Sequence, residues 1–363
     1  MLRITGMDLT TLQTITHNFV KELEDATSGK KTSLPFAINQ LPTTLLVKDG
    51  EEFQILVVGG SVCKIARAKK EGEHIRILSQ EEKDRVTFAT KEDFFKFLDQ
   101  EIFSDVSAVA LNFAYEMKSV FENNVLDGIL LRPSKENTFT GLVGEKIGAT
   151  IAAHIKQTRN QDITVSCAND TICLLLSGLT KNKWDNLAAG IVGTGFNFAI
   201  FLDQHTAVNL ESGSFKKFPQ SAEGKEIDAT SIKPGEAIYE KEVSGGYLFK
   251  YFNLLLEKKN IDFPKTDSTQ AMDELARQNI PQVSDLAKKV LDHSAALVAC
   301  QLAGITQFQG KDMTFVMEGS LFWKALDYKE TVESYFTKLT PEYKVSFINI
   351  DHSSLLGAAK LVA

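Results

Sequence analysis

An asparagine and an aspartate stand side by side where a strand-like run ends. Residues 162–168 (DITVSCA) have a strand-like pattern, and Asn169-Asp170 comes directly before the helix-forming run TICLLLSGL. Asn and Asp in this place are common N-caps, each worth about 1 kcal/mol. A carboxylate held near a helix N-terminus also stays ionised and aimed. Asp170 is therefore a candidate acid–base group, and the capping and catalytic interpretations are compatible.

Two glycine turns split runs that are typical of strands. The run at 53–68 is broken by the Gly-Gly pair at 59–60, and the run at 188–202 is broken by Gly-Thr-Gly at 193–195. Glycine at a hairpin tip lets backbone N–H groups turn outward and lets a bulky anion approach without a Cβ in the way. Each turn alone is also explained as a plain β-hairpin. Two such tips across a cleft could hold a polyphosphate, as in an actin-like, two-lobed phosphotransferase.

The sequence lacks the signatures of several other site classes. No GxxxxGK[ST] occurs and no GxGxxG follows a strand, so P-loop and Rossmann sites lack their motifs. The four cysteines (Cys63, Cys167, Cys173 and Cys300) have no CxxC spacing, which excludes a zinc ribbon or a thioredoxin motif. We interpret them as small buried hydrophobes in a reducing compartment.

Length, net charge and hydropathy indicate the number of domains and argue against nucleic-acid-binding and membrane proteins. At about 150 residues per domain, the 363 residues predict two or three domains. With 40 Lys+Arg and 47 Asp+Glu the net charge is −7, which argues against a nucleic-acid partner. No apolar run approaches the roughly 18 residues of a membrane span, and the N-terminus has no signal-peptide pattern. The expected location is the cytoplasm.

Helices and strands are predicted in alternation around the candidate residues. Strands are predicted within 105–115, 162–168, 313–318 and 343–350, besides the two hairpins. Helices are predicted over 8–25 with Asp8 as a possible N-cap, 141–157, 235–258, 284–308 and the C-terminal run SLLGAAKLVA. Two related α/β lobes, each opening with a glycine hairpin, are the simplest architecture for this order.

The order of the motifs resembles the eukaryotic-type hexokinase/glucokinase family, from about residue 8 to the C-terminus. The matching segments are SLPFAINQLPTTL, ILVVGGSVCKIARA, GILLRPSKENTF, SCANDTICLLLSG, GIVGTGFNFAIF, AVNLESGSF, IYEKEVSGGYLFKYF, MTFVMEGSLF and FINIDHSSLLGAAKLVA. The resemblance implies an α/β class, with a two-lobed actin-like (ribonuclease H-like) fold and an interlobe active-site cleft. It also implies interleaved lobes: a small lobe of 46–168 with 353–363, and a large lobe of 1–45 with 169–352.

The resemblance also assigns a hexose site. Asp170 matches the family's general base, which takes the proton of the sugar's primary hydroxyl as that oxygen attacks the γ-phosphorus. Lys135 matches the lysine beside the sugar and the transferred phosphoryl group, and Ser134 stands where the family has threonine. The remaining implied ligands of the ring hydroxyls are Asn169, Asn197, Glu211 and Glu240. Carboxylates and amides suit adjacent hydroxyls because each can bridge two of them.

On the nucleotide side, the resemblance implies ATP and Mg²⁺ as cofactors. The implied nucleotide-binding residues are Gly59, Gly60, Ser61, Lys64, Gly193, Thr194, Gly195, Gly319 and Ser320. The chain departs from the family in the first phosphate loop, where Val57 replaces an aspartate associated with Mg²⁺ and Lys64 replaces an arginine. Valine offers no oxygen to a magnesium ion. No metal ligand is assigned.

Two functions from different classes follow. The first is an ATP-dependent kinase acting on the 6-hydroxyl of glucose or a related hexose, motivated by Asp170 and the turn at 193–195. The second is a catalytically weak or inactive sugar-binding sensor, motivated by Val57. The expected partners are a hexose and ATP, with no nucleic acid and no membrane. Neither the preferred hexose nor the oligomeric state is predicted.

Overall fold

The structure, a computed structural model, describes residues 7–59, 62–84, 86–133 and 137–363. The helices are α1 (Leu9–Thr27), α2 (Lys91–Glu101), α3 (Ile147–Arg159), α4 (Asp170–Ser177), α5 (Ala222–Ala229), α6 (Ile238–Val243), α7 (Gly245–Lys258), α8 (Thr269–Ala276), α9 (Val283–Gln309), α10 (Ser320–Lys324), α11 (Tyr328–Leu339) and α12 (Ser353–Ala359). The strands are β1 (Ala37–Gln40), β2 (Glu52–Val58), β3 (Val62–Glu71), β4 (His74–Asp84), β5 (Ala108–Phe113), β6 (Glu116–Glu122), β7 (Val125–Arg132), β8 (Thr164–Ala168), β9 (Leu187–Val192), β10 (Phe196–Asp203), β11 (Thr206–Asn209), β12 (Met313–Glu318) and β13 (Val345–Ile348).

The chain divides into two compact units that alternate along the sequence. The first unit comprises the residues up to Phe36, Gly190–Phe198 and Leu210–Ile348, and the second comprises Ala37–Ala189, Ala199–Asn209 and Asn349–Ala363. The division passes through the β9–β10 hairpin, whose tip belongs to the first unit and whose base belongs to the second. Its boundaries differ from the expected lobes, because residues 169–189, Asp170 among them, belong to the unit that holds β2 and β3.

A five-stranded sheet organises the second unit, in the order β4-β3-β2-β5-β8. β2 pairs antiparallel with β3 and parallel with β5, which pairs parallel with β8. β2 and β5 are almost continuous apolar runs because both faces of the sheet are covered. Phe88, Phe94, Phe113 and Phe139 pack in the core on one face, with neighbouring ring centroids 5.2–6.0 Å apart.

Helix α9 is the central element of the first unit. It runs for 27 residues, most of them buried, and ends at Gly310 in the left-handed conformation that favours glycine. Helix α1 packs along it, where Gly304 leaves room for the ring of Phe19 and the Cys300 thiol contacts the carbonyl of Leu12. In the same unit β12 pairs parallel with β13.

Most of the predicted elements are confirmed. α1 begins after Asp8, whose carboxylate accepts the Thr11 N–H at 2.9 Å, and both glycine hairpins form. The prediction of one helix over 235–258 is wrong, because α6 and α7 are separated at Ser244, which has extended backbone. No described helix is both long and apolar enough to cross a membrane.

Candidate active site

Asn169 and Asp170 occupy the junction of β8 and α4. Asn169 is the N-cap: its Oδ1 accepts the Thr171 N–H at 2.9 Å. Asp170 is the first residue of the helix and is half-buried, and its Oδ1 accepts the same N–H at 2.8 Å. The geometry shows that Asn169 caps the helix and that Asp170 stands half-buried beside it.

A cluster of amides in the second unit surrounds Asn169. Its Nδ2 donates to the Tyr115 carbonyl at 3.4 Å, and Asn209 donates its Nδ2 to Asn169 Oδ1 at 3.3 Å. A small cavity beside them is also lined by the buried side chains of Asn39 and Asp127. Amides both donate and accept, so this cluster can bind neighbouring hydroxyls. The sequence prediction missed Asn209, although it lies within the quoted AVNLESGSF segment.

The four cysteines are buried, as predicted. Burial raises the pKa of the Cys167 and Cys173 thiols well above the usual value, and the nearby Asp170 charge adds to this effect at Cys173. A protonated, inaccessible thiol is a poor nucleophile. The cysteines near Asp170 therefore have a packing role.

The tip of the β9–β10 hairpin is braced by the start of α7. Within the turn the Gly193 N–H donates to the Gly195 carbonyl at 3.0 Å. The Gly245 N–H donates to the Gly193 carbonyl at 2.7 Å, and the Gly246 N–H donates to the Thr194 carbonyl at 3.0 Å. A Cβ on Gly245 or Gly246 would stand 2.9 Å or 2.8 Å from these same oxygens. The break at Ser244 puts the glycine pair at the start of α7, where its backbone N–H groups can hold the turn.

A second glycine contact closes the other side of the turn. Gly319, at the end of β12, has φ +120°, and any Cβ there would overlap the Val192 carbonyl. The Gly193 Cβ position lies 3.2 Å from the Gly319 Cα. Only glycine permits this approach. The structure thus brings Gly193, Thr194, Gly319 and Ser320 together, as the resemblance implied.

A cavity of about 620 Å³ lies beside this turn within the first unit. Its walls include Gly193, Thr194, Gly245, Gly246, Phe249, Ser268, Thr269, Asp273, Arg277, Ser320, Leu321 and Lys324. The volume is in the range of about 300–1,000 Å³ found for small-molecule sites. Arg277 is held by Asp273 at 2.8 Å and by the Lys324 carbonyl at 2.6 Å. The α7–α8 part of the wall was missed from the sequence, where only the Gly-Gly doublet in a helical pattern could have signalled it.

Three of the implied hexose ligands are close together in the first unit. Glu240 Oε2 accepts the Phe196 N–H at 3.1 Å, and its Cβ packs against Gly213. Asn197 Oδ1 accepts the Ser212 N–H at 3.1 Å, which places it beside the preceding residue, Glu211. Glu211 is half-buried with φ +50°, an uncommon conformation for a side chain other than glycine.

The first glycine turn is described only in part. Gly59 donates its N–H to the Val62 carbonyl at 3.2 Å. Lys64 lies opposite Val57 in the β2–β3 ladder and forms an ion pair with Glu82 at 3.3 Å. Val57 is buried beside Asn112, its parallel partner on β5. Four predicted residues, Gly60, Ser61, Ser134 and Lys135, lie outside the described residues.

Comparisons with known proteins identify the family. A family model described as Hexokinase matches residues 187–260 and 258–363. Hexokinase-2 of Solanum tuberosum is 24% identical over 410 residues, covering 90% of this chain and 81% of the relative. Hexokinase-2, chloroplastic, of Nicotiana tabacum is 24% identical over 428 residues, covering 93% and 83%. The chain belongs to the hexokinase family.

The fold of the chain agrees with that of a solved hexokinase structure. The hexokinase from Schistosoma mansoni complexed with glucose matches with a TM-score of 0.80 at 18% identity, over 98% of this chain and 96% of that chain. The predicted α/β, actin-like fold of a hexokinase family member is therefore confirmed. The family membership also confirms the resemblance drawn from the order of the motifs.

Proposed function

We propose that the chain transfers the γ-phosphoryl group of ATP to the 6-hydroxyl of a hexose, with glucose as the first substrate to test. The observation that carries the proposal is Asp170, half-buried at the first position of α4 next to the capping Asn169, in a member of the hexokinase family. The matching Schistosoma mansoni structure is complexed with glucose, which supports this choice of substrate.

Asp170 is the proposed general base. The hexose 6-oxygen attacks the γ-phosphorus, the bond from that phosphorus to the β–γ bridging oxygen breaks, and ADP leaves. The carboxylate of Asp170 takes the hydroxyl proton. Phosphoryl transfer depends mainly on positioning and charge stabilisation. A well-placed base adds about 10²–10⁴-fold to such a reaction.

Each unit by itself holds residues that the resemblance implies as hexose ligands. Asn169 and Asn209 supply amides near the base, and Asn197, Glu211 and Glu240 supply oxygens in the first unit. The close packing of Glu240 on the backbone at Phe196 and Gly213 supports a fixed carboxylate. Ser134 and Lys135 keep the roles implied by the resemblance, as proposals.

The nucleotide is proposed to bind at the turn 193–195 and in the adjoining cavity. Glycines at Gly193, Gly245 and Gly319 give a surface without Cβ atoms, which suits close approach of phosphate groups. In the second unit, the resemblance implies Gly59, Gly60, Ser61 and Lys64 as nucleotide-binding residues, and this stays a proposal.

Mg²⁺ is proposed to arrive with ATP. Among the described residues no group of three His, Cys, Asp or Glu side chains could hold a metal ion, and Val57 offers no oxygen ligand. The residues at this loop therefore do not fit a metal site built from protein carboxylates. Mg²⁺ bound to ATP supplies charge neutralisation of the phosphates.

The kinase is favoured over the sugar sensor, because the family match and the relatives are hexokinases. A coupled assay of ADP release from purified protein with glucose, ATP and Mg²⁺ tests it. We expect glucose-dependent turnover. Calorimetric glucose binding without any turnover would reject the kinase and leave the sensor. The cytoplasmic location stays a prediction, since two relatives are chloroplastic by name.

Replacing Val57 by aspartate is expected to lower the Mg²⁺ concentration needed for half-maximal rate. The new carboxylate would stand beside Asn112 and opposite Lys64, whose charge offsets part of the cost of burial. Mg²⁺ titrations of the rate, and of the thermal shift produced by ATP, measure the effect. Val57→Asn is the matched control, with similar size and no charge. If the two variants respond alike to Mg²⁺, the missing acid is not what limits this loop.

A further inference from the structure

A buried carboxylate lies behind the proposed hexose ligand Glu240. Glu242 is fully buried and follows Glu240 by two residues on the short helix α6. Two residues correspond to about 200° of rotation, so the two carboxylates point to opposite sides of the helix. Burying a carboxylate costs free energy unless hydrogen bonds or an opposite charge compensate. The partners of Glu242 therefore determine how firmly the back of α6 is held.

Three other segments of the first unit converge on Glu242. His293 Nε2, from α9, lies 2.8 Å from Oε2. Ser221, the N-cap of α5, donates its N–H at 2.9 Å and its hydroxyl at 3.0 Å to Oε1. The Tyr251 hydroxyl, from α7, shares a 3.0 Å hydrogen bond with the same Ser221 hydroxyl. One side chain thus ties α6 to α5, α7 and α9.

Burial opposes ionisation of Glu242, but the hydrogen bonds from His293 and from the Ser221 backbone outweigh it, so the pKa of Glu242 lies below its usual value. Gly224 of α5 packs so closely that a methyl group there would overlap the carboxylate and the Tyr251 hydroxyl. The Glu242 carboxylate is therefore held both by hydrogen bonds and by close packing.

Helix α6 also leads directly to the two glycines that bond the turn at 193–195. Its last residue is followed by Ser244 and by the glycines whose N–H groups bond the Gly193 and Thr194 carbonyls. Those backbone bonds fix the C-terminal end of α6. The Glu242 cluster fixes its rotation, and the rotation decides where the Glu240 carboxylate points.

We propose that Glu242 and His293 are positioning residues for hexose binding, acting through the rotation of α6 that aims Glu240. The inference rests on the proposed function, in which Glu240 binds the hexose. A ligand group misplaced by 1 Å can cost about 10²-fold in rate. A structural role alone would change stability without changing substrate affinity.

The test compares His293→Leu with His293→Gln. Leucine removes the donor to Glu242, and we expect the glucose KM to rise about tenfold or more while the ATP KM changes far less, because the glycine bonds to the turn remain. Glutamine keeps an N–H donor, and we expect it to restore most of the glucose affinity. Steady-state kinetics and calorimetric glucose binding give both readouts, with Tm measured in parallel.

Glu22→Gln is the matched control. Glu22 is another buried carboxylate of the first unit, which accepts the Ser33 N–H at 3.0 Å and pairs with Lys217 at 3.2 Å; neither partner is a residue of α6. We expect this variant to lower Tm and to leave the glucose KM unchanged. The Glu242→Gln variant keeps the shape of the side chain and serves if His293→Leu does not fold. Its glucose KM is expected to rise as well.

The outcomes separate this inference from the proposed function. If His293→Leu or Glu242→Gln lowers Tm while the glucose KM stays at the wild-type value, the positioning role is wrong, even where Glu240→Gln loses glucose binding. If Glu240→Gln binds glucose as the wild type does, the assignment of Glu240 in the proposed function is wrong, and the positioning role falls with it. A rise of glucose KM in His293→Leu that His293→Gln reverses supports the inference.

Discussion

Replacing Asp170 by asparagine is expected to lower kcat by about 10²–10⁴-fold while glucose binding stays close to that of the wild type. Asparagine keeps the size of the side chain and can accept the Thr171 N–H that Asp170 accepts at 2.8 Å. It cannot take the hydroxyl proton. Asn169 remains as the N-cap, so the start of α4 is preserved. Coupled ADP release and calorimetric glucose binding measure the two quantities separately.

Asp93→Asn is the matched control for this prediction. Asp93 also lies in the first turn of a helix of the second unit, where it forms a capping box with Thr90. Its substitution removes a helix-terminal charge without touching the proposed site. We expect a small loss of stability, about 1 kcal/mol or less, and an unchanged kcat. A kcat for Asp170→Asn as high as that of this control would reject Asp170 as the base.

The elements that carry the candidate residues follow from local sequence patterns. A strand-like run, an Asn-Asp cap and an apolar helix are adjacent in sequence, so the junction at Asp170 was predictable from residues 162–179 alone. The same holds for the hairpin at 193–195, where β-forming runs flank the glycines. Short-range signals of this kind depend on propensity and capping chemistry within a few residues.

The contacts made across long sequence separations were not predictable in this way. Nothing local shows that the helix stops at Ser244 and starts again at Gly245, so that Gly245 and Gly246 can bond the turn at 193–195. The helical spacing around them predicted one continuous helix. The donation from Asn209 to Asn169 likewise depends on how β11 and β8 are placed within the second unit. Tertiary contacts override propensity at these positions.

The family was recognised from the order of the motifs, whereas the secondary-structure elements were predicted from local patterns. A single segment, such as one glycine turn, is also explained as an ordinary hairpin, but the order of all the matching segments along the chain is specific to the family. The departures from the family pattern at Val57 and Lys64 are compatible with the fold, since the two residues pair in β2 and β3. Val57 is a buried strand residue between β3 and β5, and an apolar side chain suits that interior.

Replacing Gly245 by alanine is expected to raise the ATP KM by about tenfold or more, with glucose binding little changed. The added Cβ would stand 2.9 Å from the Gly193 carbonyl oxygen, a backbone atom that cannot rotate away. The 2.7 Å bond from the Gly245 N–H to that oxygen must therefore lengthen, and the turn at 193–195 must shift. Initial rates with varied ATP at saturating glucose measure the effect.

Gly310→Ala separates a loss of nucleotide binding from a general loss of stability. Gly310 ends α9 in the same unit with φ +66° and open space around it, so alanine there strains only its own backbone, at about 1 kcal/mol. We expect a lower Tm and an unchanged ATP KM. If Gly245→Ala gives the same pattern as this control, the turn that Gly245 braces does not hold the nucleotide, and the phosphate site must be sought elsewhere. A raised ATP KM in Gly245→Ala alone ties nucleotide affinity to the backbone bond between Gly245 and Gly193.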